Sequence, residues 1–67
     1  MPPYLRVADE LAAKIDAGEL VRGDQVPSMA RLAETYGISR GTARRVLLTL
    51  RDRDLVVITP GWGTFVK

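Results

Sequence analysis

The stretch Ser39-Arg40-Gly41-Thr42-Ala43-Arg44-Arg45 places two hydroxyls and three arginines in seven positions, ahead of the apolar pair Val46-Leu47. A guanidinium is a rigid planar fork of donors that matches the paired acceptors of a phosphate or of a guanine edge, and a neighbouring hydroxyl adds a neutral donor. The chemistry on offer is the binding of an anion. Bond-making chemistry has no comparable support, because the 67-residue chain contains no histidine and no cysteine. Histidine, the commonest general base, the thiol nucleophile and the usual zinc ligand sets are therefore missing. There is no glycine-rich phosphate loop, and the carboxylates are mostly scattered over the first segment, where a solvated face explains them. No enzymatic activity, metal site or cofactor is expected.

The formal net charge of +2 hides a local imbalance. Residues 1–27 carry three basic groups against five acidic ones, whereas residues 28–53 carry six arginines against Glu34 and Asp52. Within the window 39–48 no acidic residue lies three or four positions from Arg40, Arg44 or Arg45, so the cluster repels itself unless an anion is present. Arg31, Arg51 and Arg53 have Glu34, Asp52 and Asp54 near them in sequence and fit an ordinary surface as well as a contact.

Three helices must position this cluster. Residues 3–17 form the first, with proline tolerated at the start and Leu5, Ala8, Leu11, Ala12 and Ile15 recurring at helical spacing; Gly18 is placed to end it. A connection follows, with a few extended residues near Gln25 and Val26. Ser28 is a good N-cap for a second helix over 28–36 whose Met29, Leu32, Ala33 and Tyr36 share one face. Gly37 ends that helix and Ser39 caps a third, over 39–53, with Ala43, Val46, Leu47 and Leu50 as its buried stripe. Two helices joined by a tight glycine turn form a helix-turn-helix unit that offers its second helix outward. The buried stripe leaves Gly41, Arg44, Arg45 and Leu48 turned away from the core, with Arg40 and Arg51 on the flank.

The remainder, LVVITPGWGTFVK, changes character. Val56, Val57, Ile58 and Thr59 are a strand candidate, Pro60-Gly61 is a turn signal, and Thr64-Phe65-Val66 returns, giving a hairpin over about residues 55–67. An isolated hairpin is marginal in water, so this one is expected to pack on the helices, through residues such as Val57 and Phe65. Trp62 either folds back over the hairpin, the favoured expectation, or stacks on the sugar-phosphate edge of a nucleic acid, and Met29, Tyr36 and Phe65 are expected to be core residues. The fold class is α+β, mainly α, in one domain spanning residues 1–67. No apolar run approaches the ~18 residues of a membrane span, and acidic residues stand where a signal peptide has its apolar region. A cytoplasmic, nucleoid-associated protein is expected.

In this order, VPSMARLAETYGISRGTARRVLLTLRDRDLVVITPGWGTFV resembles the winged helix-turn-helix DNA-binding domain of the GntR family of bacterial transcription regulators. The resemblance starts at PPYLRVADELAAKIDAGEL and covers nearly the whole chain, with Pro27-Ser28, LAETYGISRGTARRVL and GWGTFV as its most specific parts. It implies dimers bound to imperfect inverted repeats in double-stranded operator DNA, with the third helix in the major groove and the wing tip at the minor groove. The positions carried over are Ser39, Arg40, Gly41, Thr42 and Arg44, with Gly61, Trp62 and Gly63 at the wing; Ser28, Arg31 and Arg45 join the candidate contacts on their own chemistry, Ser28 at a helix N-terminus that can receive a phosphate and the two arginines as added positive charge. Met29-Ala30-Arg31 stands where the family usually has Glu-Arg-Glu, so one expected DNA-contacting arginine is missing. Arg45 replaces a common glutamate, Asp54 a usual glycine, and Trp62 a frequent arginine or lysine. The family continues after the wing into an effector-binding and dimerising domain, so a small-molecule effector is expected only with such a domain.

Winged helices also serve as protein-interaction or RNA-binding modules, and fold alone does not choose between them. An interaction module would expose apolar side chains on the third helix, where Leu48 is the one candidate. RNA recognition relies on exposed aromatics, of which Trp62 is the one obvious case.

Overall fold

Pro3 stands at the first position of α1 (Pro3–Asp16), where its missing N–H costs nothing. Val7, Ala8 and Leu11 are buried, with Tyr4, Ala12 and Ile15 packed at the margin of the same core, so the buried stripe follows the i, i+3, i+4, i+7 pattern from Tyr4. Leu5, expected on that face, lies at its edge, and Val7 takes the central place. The helix closes with paired bonds from the Gly18 N–H to the Ile15 carbonyl and from the Glu19 N–H to the Lys14 carbonyl.

The computed structural model describes residues 1–67. After α1 come β1 (Gln25–Val26), α2 (Met29–Tyr36), α3 (Arg40–Asp52), β2 (Val56–Thr59) and β3 (Gly63–Val66). Both expected serine caps are made, Ser28 Oγ accepting from the Arg31 N–H at 3.2 Å and Ser39 Oγ from the Thr42 N–H at 3.0 Å. Between these helices Gly37 adopts φ 64°, which reverses the chain within two residues of the end of α2. Ala43, Val46, Leu47 and Leu50 of α3 are all buried, and α3 packs on both α1 and α2. Asp54 takes the left-handed conformation at φ 64° that the usual glycine would adopt.

The extended residues Gln25 and Val26 become a third strand, giving an antiparallel sheet in the order β1-β3-β2. The face it turns to the helices is the reverse of the expected one. Val56, Thr64 and Val66 are buried, while Val57 is 44% exposed and pairs across the strands with Phe65 on the outer face. With four consecutive residues suited to a strand, VVIT carries no polar alternation to mark its inner side, and a shift of one residue exchanges the faces. Two further core assignments change. Met29 is 38% exposed at the start of α2, and Phe65, half-buried on the outer face, does not pack against the core. Tyr36 does pack against the core. No helix is long and apolar enough to cross a membrane.

Candidate nucleic-acid interface

Burial of four α3 residues on one side fixes the other side as the presented surface. Arg40, Arg44 and Arg45 are exposed, and none of them forms an ion pair. The arginines that do pair are those at the far end: Arg51 with Asp52 at 3.3 Å, and Arg53 with Asp9 of α1 at 2.8 Å. Arg31, in the first turn of α2, is exposed and also without a carboxylate partner.

The start of α3 is organised around its cap. Ser39 Oγ accepts the Thr42 N–H and donates its own proton to Thr42 Oγ1 at 2.9 Å, which leaves the Thr42 hydroxyl proton free to donate elsewhere. The N–H groups of Arg40 and Gly41 come before the first intrahelical bond, from the Ala43 N–H to the Ser39 carbonyl, and so are unused donors. Gly41 has ordinary helical backbone, and a Cβ built on it meets only Ser39 Oγ, at 3.9 Å. Folding therefore does not require glycine there, although glycine in a helix costs roughly 1 kcal/mol relative to alanine. The absence of a side chain matters only to something approaching from outside.

At the wing, Pro60 and Gly61 (φ 80°) turn the chain and the Trp62 N–H donates to the Thr59 carbonyl at 3.0 Å. This has the form of a type II turn. Trp62 does not fold back over the hairpin as expected but is 78% exposed at its tip. Its neighbour Gly63 has φ 132°, with the Gln25 side chain 2.6 Å from where a Cβ would stand. A shallow cleft of about 470 Å³ separates this tip from Ser28 and Met29 at the start of α2.

This arrangement matches known proteins along its whole length. The model of the gntR family of bacterial regulatory proteins matches residues 3–66. The chain belongs to that family. It is 36% identical over 66 residues, 98% of the chain, to the mannosyl-D-glycerate transport/metabolism system repressor MngR of Escherichia coli (strain K12), and 40% identical over 65 residues, 97% of the chain, to the histidine utilization repressor of Klebsiella aerogenes. These matches cover 28% and 27% of those relatives, so the chain spans less than a third of their length. Among solved structures, AraR(DBD) in complex with operator ORR3 superposes with a TM-score of 0.95 at 30% identity, covering 100% of this chain and 81% of that one. YtrA from Sulfolobus acidocaldarius, a GntR-family transcription factor, superposes with a TM-score of 0.87 at 30% identity, covering 98% of this chain and 55% of that one.

Within this gntR domain the predicted residues fall into two groups. Ser39, Arg40, Gly41, Thr42, Arg44 and Arg45 gather on the first two turns of α3, whereas Gly61, Trp62 and Gly63 form the wing tip, with Ser28 on the cleft beside it. Arg31 lines a second shallow cleft that shares Gln25, Val26 and Ser28 with the first. One contact of these residues was missed by sequence reasoning: the Arg45 guanidinium carbon lies 4.5 Å from the centroid of the Tyr4 ring. An exposed cation over an aromatic face gains about 0.5–1 kcal/mol and loses part of its freedom. The only signal for it was that the α1 stripe, extended back one turn, includes Tyr4.

Proposed function

We propose that this domain binds duplex DNA at specific sequences to regulate transcription by repression, with α3 in the major groove and the wing at the adjacent minor groove. The observation that carries this reading is the pair of exposed, unpaired arginines at i and i+4 on α3, beside a glycine the fold does not need. Arg40 and Arg44 stand about one helical turn apart on the presented surface and suit bidentate contacts to guanine O6 and N7. Thr42, with its free hydroxyl proton, and Arg45 hold phosphates, Ser39 contributes by the cap that orients Thr42, and the open Gly41 lets the backbone come close. Ser28 and Arg31 approach the DNA backbone from α2, and Gly61, Trp62 and Gly63 from the wing. The relatives named as repressors and the AraR domain seen with operator DNA support the same reading.

A single domain of this size makes few phosphate contacts, so tight binding needs two copies on an inverted repeat. The chain is a monomer off DNA and a homodimer on it. A small-molecule effector acts only through a further domain of the kind that would fill out the length of the relatives. The protein works on the nucleoid in the cytoplasm.

Enrichment of a random duplex library on the purified chain, at low and then physiological salt, tests the reading. An enriched inverted repeat is the expected result. Retention without enrichment would reduce the interface to phosphate contact, and no retention at low salt would refute it. Sedimentation with and without the selected duplex tests stoichiometry, and a stable dimer in free solution would contradict the monomer assignment.

A further inference from the structure

The segment Val56–Val66 contains no charged residue, in a chain that is 27% charged. At its tip stands the chain's single tryptophan, 78% exposed and covered by nothing. The tip backbone is nevertheless well defined by Pro60, by Gly61 at φ 80° and by the Trp62 N–H bond to Thr59. An indole on such a turn loses little freedom on contact, since only two side-chain torsions remain to be fixed. The cleft beneath it is also without charge, with Met29, 38% exposed, on its far wall. That cleft continues past Ser28 and Gln25 to the one that Arg31 lines, so an apolar end and a cationic end lie on one continuous surface.

Resting on the DNA-binding reading above, we infer that Trp62 enters the minor groove of the duplex, its indole lying against deoxyribose on the wall and the base edges at the floor, and that it selects A·T over G·C pairs there. A wing without charge releases no counterions, so its contribution is insensitive to salt, unlike that of the arginines on α3. Apolar side chains are a recurring means of engaging the minor groove. Selection follows from the guanine 2-amino group, a donor that A·T pairs lack in this groove and that an indole would strip of water while offering only a weak π acceptor in return. The wing thus supplies shape and composition preference, and the helix supplies charge and base reading.

The test uses the duplex selected from the random library and three proteins: the wild-type chain, Trp62→Ala and Trp62→Arg. Circular dichroism verifies that each folds, which the exposure of the side chain favours. Trp62→Ala is expected to weaken binding about tenfold at every salt concentration, the scale of burying one large apolar side chain in part, with an unchanged salt slope. Trp62→Arg is expected to steepen the slope by about one. Changing the A·T pairs at the wing to G·C should weaken the wild type but not Trp62→Ala, and I·C pairs, which lack the 2-amino group, should behave as A·T. Binding should also change the fluorescence of Trp62, the only tryptophan. If Trp62→Ala binds within about twofold of wild type while Arg44→Ala has lost affinity, the inference is overturned and the DNA-binding reading stands. If wild type fails to bind any duplex, both fall, and the exposed indole would point to a protein partner.

Discussion

The two ends of α3 carry the same residue type in different circumstances. At the N-terminal end Arg40 and Arg44 are exposed with no carboxylate in reach, next to unused backbone N–H groups. At the C-terminal end Arg51 pairs with Asp52, and Arg53 reaches across to Asp9 of α1. Arginine count alone would treat the helix as uniformly basic. The difference lies in what folding brings near each guanidinium, and it divides a surface left open for an anion from one that neutralises itself. Arg45 falls between, free of carboxylates but resting on the Tyr4 ring.

Substitutions at the two ends test that contrast. The largest effect is expected for Arg40→Ala and Arg44→Ala, each losing ~1–3 kcal/mol of DNA affinity and the preference at one base pair, measured by competition against single-base operator variants. Arg45→Ala should weaken all sequences alike and lower the salt slope by about one, measured by titration from low to physiological salt. Ser39→Ala removes the cap that accepts the Thr42 N–H and should cost about 1 kcal/mol of stability in thermal or urea unfolding, with a smaller loss of affinity. The smallest effect belongs to Arg53→Ala. Its exposed pair with Asp9 is worth ~0–1 kcal/mol of stability, and the affinity for DNA should stay within about twofold. An affinity loss for Arg53→Ala as large as that for Arg44→Ala would erase the contrast.

Much of the helical part was legible in the sequence because its signals are local and periodic. Ala43, Val46, Leu47 and Leu50 recur at helical spacing, and Ser28 and Ser39 precede apolar runs as caps should. The arginine window was legible for a similar reason, since pairing along a helix depends on neighbours three and four positions away. The wing was harder to read. Nothing in VVIT distinguishes Val56, which is buried, from Val57, which is not, and that choice depends on where the chain leaves α3. The exposure of Trp62 depends likewise on the absence of anything above the hairpin, a property of the whole fold. The contacts of Arg45 with Tyr4 and of Arg53 with Asp9 join residues far apart in sequence, through packing of α1 on α3 that no local pattern records.

The account rests most directly on Arg40 and Arg44 reading bases from the open end of α3. The decisive measurement is the affinity of wild type, Arg40→Ala and Arg44→Ala for every single-base variant of the selected operator at physiological salt. The prediction is that each variant protein loses discrimination at its own base pair and keeps it at the others. An equal loss on every sequence, with the base preferences intact, would assign these arginines to phosphates and contradict the account.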